Sequence, residues 1–422
     1  MHDYLLARRQ RVAPTLELRE AILLVYAGQP LPLPEDSDQT YPFSAHADYY
    51  YLTGLDCPGG VLAYDPQDGS WVSFVPEITE GERVWEGRQP WLGTPLAELD
   101  NWLAVRAGRL IVRLGAPPGG SALELALAGE VKARLRHARR PKDAHELALL
   151  RRAIDATAAG YARVRAILRP GLTERALQIE LETEFLRHGA DATGYGSIVG
   201  AGPNSAVLHF APGARATRAG DFVLIDAGGA CERYTADVTR TLVVGAPSPF
   251  QRDLYQVVLA AQLRAIDRCR AGAEWKAVHL AAAVDLMAGL VSLGVLRGEP
   301  TSLVEQDAHT LFYPHGLGHL VGLGVRDASG LAPGRAKDPR PSLRSLRMDL
   351  PLAPGYVVTV EPGLYFIPPL LQDPVRRARY RDCVNWPLVE QHLELGGVRI
   401  EDNVLVTDGA PEVLTAAIPK TL

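Results

Sequence analysis

Apolar positions in this chain change their spacing near residue 140, and the change predicts two domains. Up to that point, short apolar runs bounded by turn residues recur in AILLVYAG, YYYLTGL, GVLAYD, WVSFVPE and RLIVRLG. Helical patterns lie between and after them, in ELDNWLAVRAG and ALELALAGEVKARLRHA, so residues 1–140 are expected to form a small mixed α/β domain. The charged RHARRPKDA reads as a linker, and the overlapping basic stretch Arg134 to Lys142 as solvated.

Residues 141–422 open on longer periods. Asp143 with Glu146 three positions on is a capping-box arrangement ahead of ELALLRRAIDATAAGYARVRAIL, a helix that should stop at Arg169-Pro170-Gly171. Thr173 is expected to cap a second helix ending near Gly189, and Ser248-Pro249 to open a third running towards Gly272. EWKAVHLAAAVDLMAGLVSLGV adds a fourth. Strand-like segments lie between and after these helices, in DFVLIDAG, YTADVTRTLVVG, GYVVTVEPG and GGVRIEDNVLVT. Helices covering one face of a curved, largely antiparallel sheet make the predicted class α+β. The Pro/Arg-rich stretch from Gly330 to Leu346 reads as a long functional loop.

Length and charge narrow the possibilities. A chain of 422 residues exceeds what one core usually supports. Its formal charge of −5 and pI near 6.1 argue against a nucleic-acid or anionic-membrane surface. The cysteines Cys57, Cys231, Cys269 and Cys383 are widely spaced without a CxxC pair, which argues against a disulfide framework or thiolate zinc site and for a reducing cytosol. MHDYLLARRQRVAP lacks a signal-length apolar stretch, and no run of about 20 apolar residues follows, so a cytoplasmic protein without a membrane span is expected.

The chemistry concentrates in the strand-like segments. Asp226 closes the apolar run DFVLID and Asp237 follows eleven residues later on what should be the returning strand of a hairpin. Facing carboxylates repel unless a proton or cation lies between them. Strand alternation sends Arg399, Glu401 and Asn403 to one face of GVRIEDNV, and Glu361 ends YVVTV before Pro362-Gly363. HGLGH supplies His315 and His319, with glycines that allow close backbone approach, and His209 precedes the first aspartate. Four carboxylates and one imidazole (Asp226, Asp237, His319, Glu361, Glu401) form a hard, oxygen-rich set whose surplus negative charge suits a pair of divalent cations and hydrolysis.

IDAGG…ADVTRT, HGLGHLVGLGV, TVEPGLY and GGVRIED, in this order, resemble the M24-type metallopeptidase family that includes methionine aminopeptidase, aminopeptidase P and prolidase. The resemblance implies a creatinase-like N-terminal domain and a C-terminal pita-bread fold holding two metals, manganese in first place, with cobalt or zinc as alternatives. It implies that Asp226 and Asp237 bind metal with Asp237 bridging, that His319 and Glu361 hold the second ion, and that Glu401 bridges. A water shared by the cations would be the nucleophile, Glu361 would take its proton, and His209 and His315 would hydrogen-bond to substrate or oxyanion.

Within the family the likeness is closest to the prolidase branch, which cleaves Xaa-Pro dipeptides. LRSLR and the long insertion FIPPLLQDPVRRARYRDCVNWPLVEQHLEL carry that likeness. Arg347 matches the arginine that grips a dipeptide carboxylate, and Arg399 lies on the face of Glu401. VPEITEGERVWEG resembles a loop reaching into the other subunit's site, which implies a homodimer with Trp85 in the pocket. One departure stands out: the family usually has His-Asp after HGLGHLVGLGV, where this chain has Arg326-Asp327. Arginine stays protonated and cannot shuttle a proton, but it can bind carboxylate. The expected function is therefore hydrolysis of Xaa-Pro dipeptides. Aminopeptidase P, acting on longer peptides, is the first alternative, and a non-catalytic peptide-binding member is the second.

Overall fold

The computed structural model describes residues 3–35, 39–115 and 119–422 and divides into two units, Met1–Arg139 and Arg140–Leu422. In the first unit, five strands pair in the order Thr94–Pro95, Ser70–Val75, Val61–Asp65, Ile22–Tyr26, Ile111–Leu114. Ile22–Tyr26 runs antiparallel to Val61–Asp65 and parallel to Ile111–Leu114, which makes the sheet mixed. Alternate residues Ile22 and Leu24 pack with Val61, Ala63 and Phe74 on one face.

One apolar run behaves differently from its neighbours. YYYLT lies in the helix Ala47–Thr53, which begins at His46, whose side chain accepts from the Asp48 N–H, and ends at Gly54 with φ 68°. The expected linker is also not solvated. The helix Ala122–Arg139 runs through its first half, Arg139 is buried and donates to Asp48 at 2.6 Å, and the Arg140 Nε donates to the Ala328 carbonyl. Lys142 and Asp327 pair at 2.9 Å with side chains 0% and 1% exposed. A run of basic residues reads as solvated only when its counter-charges are absent, and here they come from distant segments.

In the second unit the predicted helix starts are realised. Asp143 and Glu146 form a reciprocal capping box for Ala144–Ile167, Thr173 caps Glu174–Arg187, and Ser248 with Gln251 caps Pro249–Asp267, which stops short of Gly272. The helix Trp275–Ser292 is long and apolar enough to cross a membrane by composition. Its Val278, Ala282, Ala283, Leu286, Met287 and Leu290 are buried in the core, as befits an internal helix.

The strands that carry the candidate ligands pair antiparallel throughout. Phe222–Ala227 lies between Val238–Val243 and Ile198–Ala201; Val357–Val360 pairs with Asp402–Leu405, and Gly363–Tyr365 with Gly397–Arg399. A bridge between Thr239 and Glu401 joins the first group to the second. The 330–346 stretch is largely loop, tied down by Arg335 to Glu274 and Asp349 and by Arg340 to Asp307. The long insertion forms three short helices, Pro368–Leu371, Pro374–Arg379 and Trp386–Gln391, that place Leu371, Tyr380 and Val389 in the core.

Removing one member of a buried ion pair strands the other, at a cost of about 3–5 kcal/mol. Asp327→Ala is therefore expected to lower unfolding free energy by roughly that amount in urea titrations; a loss within experimental error would show that the pair is not a stabilising element.

Candidate active site

Backbone contact brings the two aspartates together. Asp226 is the penultimate residue of its strand, and at Gly228 a Cβ would fall 1.8 Å from the Ala236 carbonyl oxygen, so only glycine lets the chain pass Ala236 and set Asp237 beside Asp226. The Tyr195 hydroxyl lies 2.7 Å from a carboxylate oxygen of each. Asn403 accepts from the Asp237 N–H and donates to its carbonyl, which fixes the backbone there. Glu401 accepts from the Thr239 hydroxyl at 2.6 Å.

The HGLGH segment is a loop laid against the strand Val357–Val360. A Cβ at Gly318 would meet the Thr359 carbonyl at 2.0 Å, whereas at Gly316 the nearest atoms are at 3.4 Å. His319 N–H donates to the Thr359 hydroxyl and the Thr359 N–H donates to the His319 carbonyl. The His319 Nδ1 lies 3.1 Å from the Leu320 carbonyl, an acceptor, so Nδ1 carries the proton. The Nε2 lone pair then faces Asp237 at 3.5 Å and Glu361 at 3.8 Å. Ligand atoms of Asp237, His319 and Glu401 all lie within 4.8 Å of one another, a spacing one ion could close.

The electrostatics ask for such ions. Burial, reinforced by neighbouring carboxylates, holds Asp237 and Glu401 well above the usual carboxylate range. Burial first, with the Asp226 charge adding, pushes Glu361 up to about 7. His319 is lowered to about 4, mainly by burial, and so is a neutral ligand. Four carboxylates share one buried guanidinium, Arg399, so the donor set fits divalent cations in place of the protons it otherwise takes up.

Other expected site residues fall into distinct places. Arg399 was expected among the substrate contacts, but its guanidinium is engaged by Asp226 at 2.6 Å, the Tyr365 hydroxyl and the Thr239 hydroxyl, which makes it a positioning group for the ligands. His315 lines the same cavity of about 660 Å³ with both ring nitrogens occupied: Nδ1 donates to the Gly316 carbonyl and Nε2 accepts from Tyr365. Burial, then Arg399, lowers it to about 3 and keeps it neutral. His209, Arg326 and Arg347 are exposed residues of the cavity wall. Trp85 ends the helix Glu80–Trp85 of the first unit and is 87% exposed. Tyr195, Thr239 and Tyr365 escaped the sequence reading; nothing in their local pattern separates them from ordinary strand or loop residues.

A model of metallopeptidase family M24 matches residues 148–408, and one of the aminopeptidase P N-terminal domain matches residues 6–94. The chain belongs to metallopeptidase family M24. Members of this family use divalent metals, in keeping with the donor set above. Among similar proteins, a probable Xaa-Pro aminopeptidase of Botryotinia fuckeliana is 32% identical over 421 residues, covering 94% of this chain and 90% of that protein. Another from Aspergillus clavatus is 30% identical over 446 residues, covering 99% and 95%. Among solved structures, an aminopeptidase of Pseudomonas aeruginosa superposes with a TM-score of 0.80 at 30% identity, covering 99% of this chain and 95% of that one. Zinc-substituted Escherichia coli aminopeptidase P in complex with product gives 0.78 at 29%, with the same coverage.

These relatives overturn the expected dipeptidase: the chain is a metallopeptidase similar along nearly its whole length to Xaa-Pro aminopeptidases. Of the features that suggested prolidase, Arg347 does line the cavity, but two others do not support a dipeptide-carboxylate grip. The long insertion packs into the core and contributes no residue to the cavity wall, and Arg399, paired with Asp226, is not free to hold a substrate carboxylate.

Gly318→Ala is expected to displace His319 and sharply weaken metal retention, measured by equilibrium dialysis, while Gly316→Ala leaves retention near wild type; equal effects would break the close-approach argument. A pH dependence follows from Glu361. Because its pKa rises from 4.5 to about 7 on folding of the metal-free chain, folding takes up a proton there, and the contribution to stability falls as pH rises through that window. In chelator, the Tm of Glu361→Gln relative to wild type should increase from below 4.5 to above 7; a gap independent of pH would contradict the burial argument.

Proposed function

We propose that this chain is an Xaa-Pro aminopeptidase, which removes the N-terminal residue ahead of proline from peptides. The observation that carries the reading is that Xaa-Pro aminopeptidases are similar to it along nearly its whole length, with the aminopeptidase P N-terminal domain matched as well as the M24 domain. Two divalent cations, manganese in first place, would be held by Asp226, Asp237, His319, Glu361 and Glu401; cobalt and zinc suit the same donors. When bound, such ions polarise a carbonyl and lower the pKa of water.

The chain's own groups supply the rest. Glu361 takes up the proton at its carboxylate, and His209 donates to the substrate carbonyl from the cavity wall. Tyr195 and Arg399 fix the carboxylate oxygens, while His315 holds Tyr365 against Arg399. Ile198, Leu208, Phe210 and Val325 give the wall apolar area suited to a pyrrolidine ring.

With manganese, alanine release from Ala-Pro-Ala is expected to exceed that from Ala-Pro; no release from the tripeptide with manganese, cobalt or zinc would reject the reading. Glu361→Gln should lower kcat by about 10²–10⁴-fold, read in the same alanine-release assay.

A further inference from the structure

The wall of the cavity carries opposite charges at its floor and its exposed edge. Every carboxylate that lines it, Asp226, Asp237, Glu361 and Glu401, belongs to the ligand cluster. Arg175, Arg326 and Arg347 line it as exposed residues. Arg175 donates to Gln178, but among the described residues neither the Arg326 nor the Arg347 guanidinium has a hydrogen-bond or ion-pair partner. Their neighbours differ: Arg335 and Arg340 of the same loop region are neutralised by Asp349, Glu274 and Asp307.

The nearest acid in sequence cannot neutralise Arg326. Asp327 is buried, paired with Lys142 and accepting from the Leu323 N–H. Arg326 and Arg347 both line the same cavity as the ligand cluster. Four carboxylates balance two divalent ions, so a loaded floor offers these arginines no net negative charge.

We infer that Arg326, with Arg347, selects peptides bearing an acidic side chain immediately after the proline. The inference rests on the aminopeptidase reading. If the scissile bond lies at the floor and the N-terminal residue inside, each later residue advances by about 3.3–3.6 Å towards the exposed edge. A side-chain carboxylate there meets a guanidinium fork that is charged at every physiological pH. With a chain charge of −5, long-range steering does not favour acidic peptides, so the selection is local and appears in KM.

The test uses the manganese-loaded protein with Ala-Pro-Asp-NH2, Ala-Pro-Asn-NH2 and Ala-Pro-Lys-NH2, the amide removing the terminal charge. The aspartyl peptide should exceed the asparaginyl one by about twofold to fivefold in kcat/KM, a ratio that shrinks as salt rises. Arg326→Gln should bring the ratio close to one and Arg326→Lys should keep part of it. A ratio of one in the wild type, or a preference that survives Arg326→Gln, overturns the inference while leaving the aminopeptidase reading standing. Calorimetry with Pro-Asp-NH2 and Pro-Asn-NH2 gives a readout independent of turnover: tighter binding of the first, lost in Arg326→Gln, supports the inference even if Ala-Pro-Ala is not cleaved, and equal binding counts against it.

Discussion

Like-charged groups held close together are the constraint around which the second unit is arranged. Asp226, Asp237, Glu361 and Glu401 converge from separate stretches of chain, and burial with the neighbouring carboxylate charges pushes Asp237, Glu361 and Glu401 towards protonation. What keeps them converged is a shell of neutral donors and one cation: the hydroxyls of Tyr195 and Thr239, and the Arg399 guanidinium. Each of these is in turn fixed by strand pairing or by a second hydrogen bond. The antiparallel pairing around Asp226 and the Thr239–Glu401 bridge therefore have an electrostatic purpose beyond sheet formation.

The imidazoles show how the same shell fixes protonation. Carbonyl oxygens at Gly316 and Leu320 take the Nδ1 protons of His315 and His319. That leaves one lone pair directed at the ligand cluster and the other at Tyr365. Two histidines four residues apart thus have different duties, and the difference comes from what their Nε2 atoms meet.

Much of this was legible in the sequence wherever a residue's duty is written in its immediate neighbours. Helix starts at Asp143, Thr173 and Ser248 follow from capping chemistry, and the shared face of Arg399, Glu401 and Asn403 follows from strand period. Properties set by distant segments were not legible. The burial of Lys142 depends on Asp327, the occupation of Arg399 depends on Asp226, and the helix at YYYLT depends on what packs over Tyr49 and Tyr51. The substrate branch was misread because LRSLR, the long insertion and Arg347 read as marks of a dipeptidase, whereas the similarity along nearly the whole chain is to Xaa-Pro aminopeptidases.

Asp327 also anchors the turn that carries residue 326. Its N–H donates to the Leu320 carbonyl, and its carboxylate holds the Leu323 N–H and Lys142. The main chain that follows His319 is thereby held through Asp327, and no hydrogen bond of the side chain at 326 takes part among the described residues. Exchange at that position can proceed without disturbing the ligand loop, which makes it a site where descent can retune what the enzyme prefers while its catalytic apparatus stays intact.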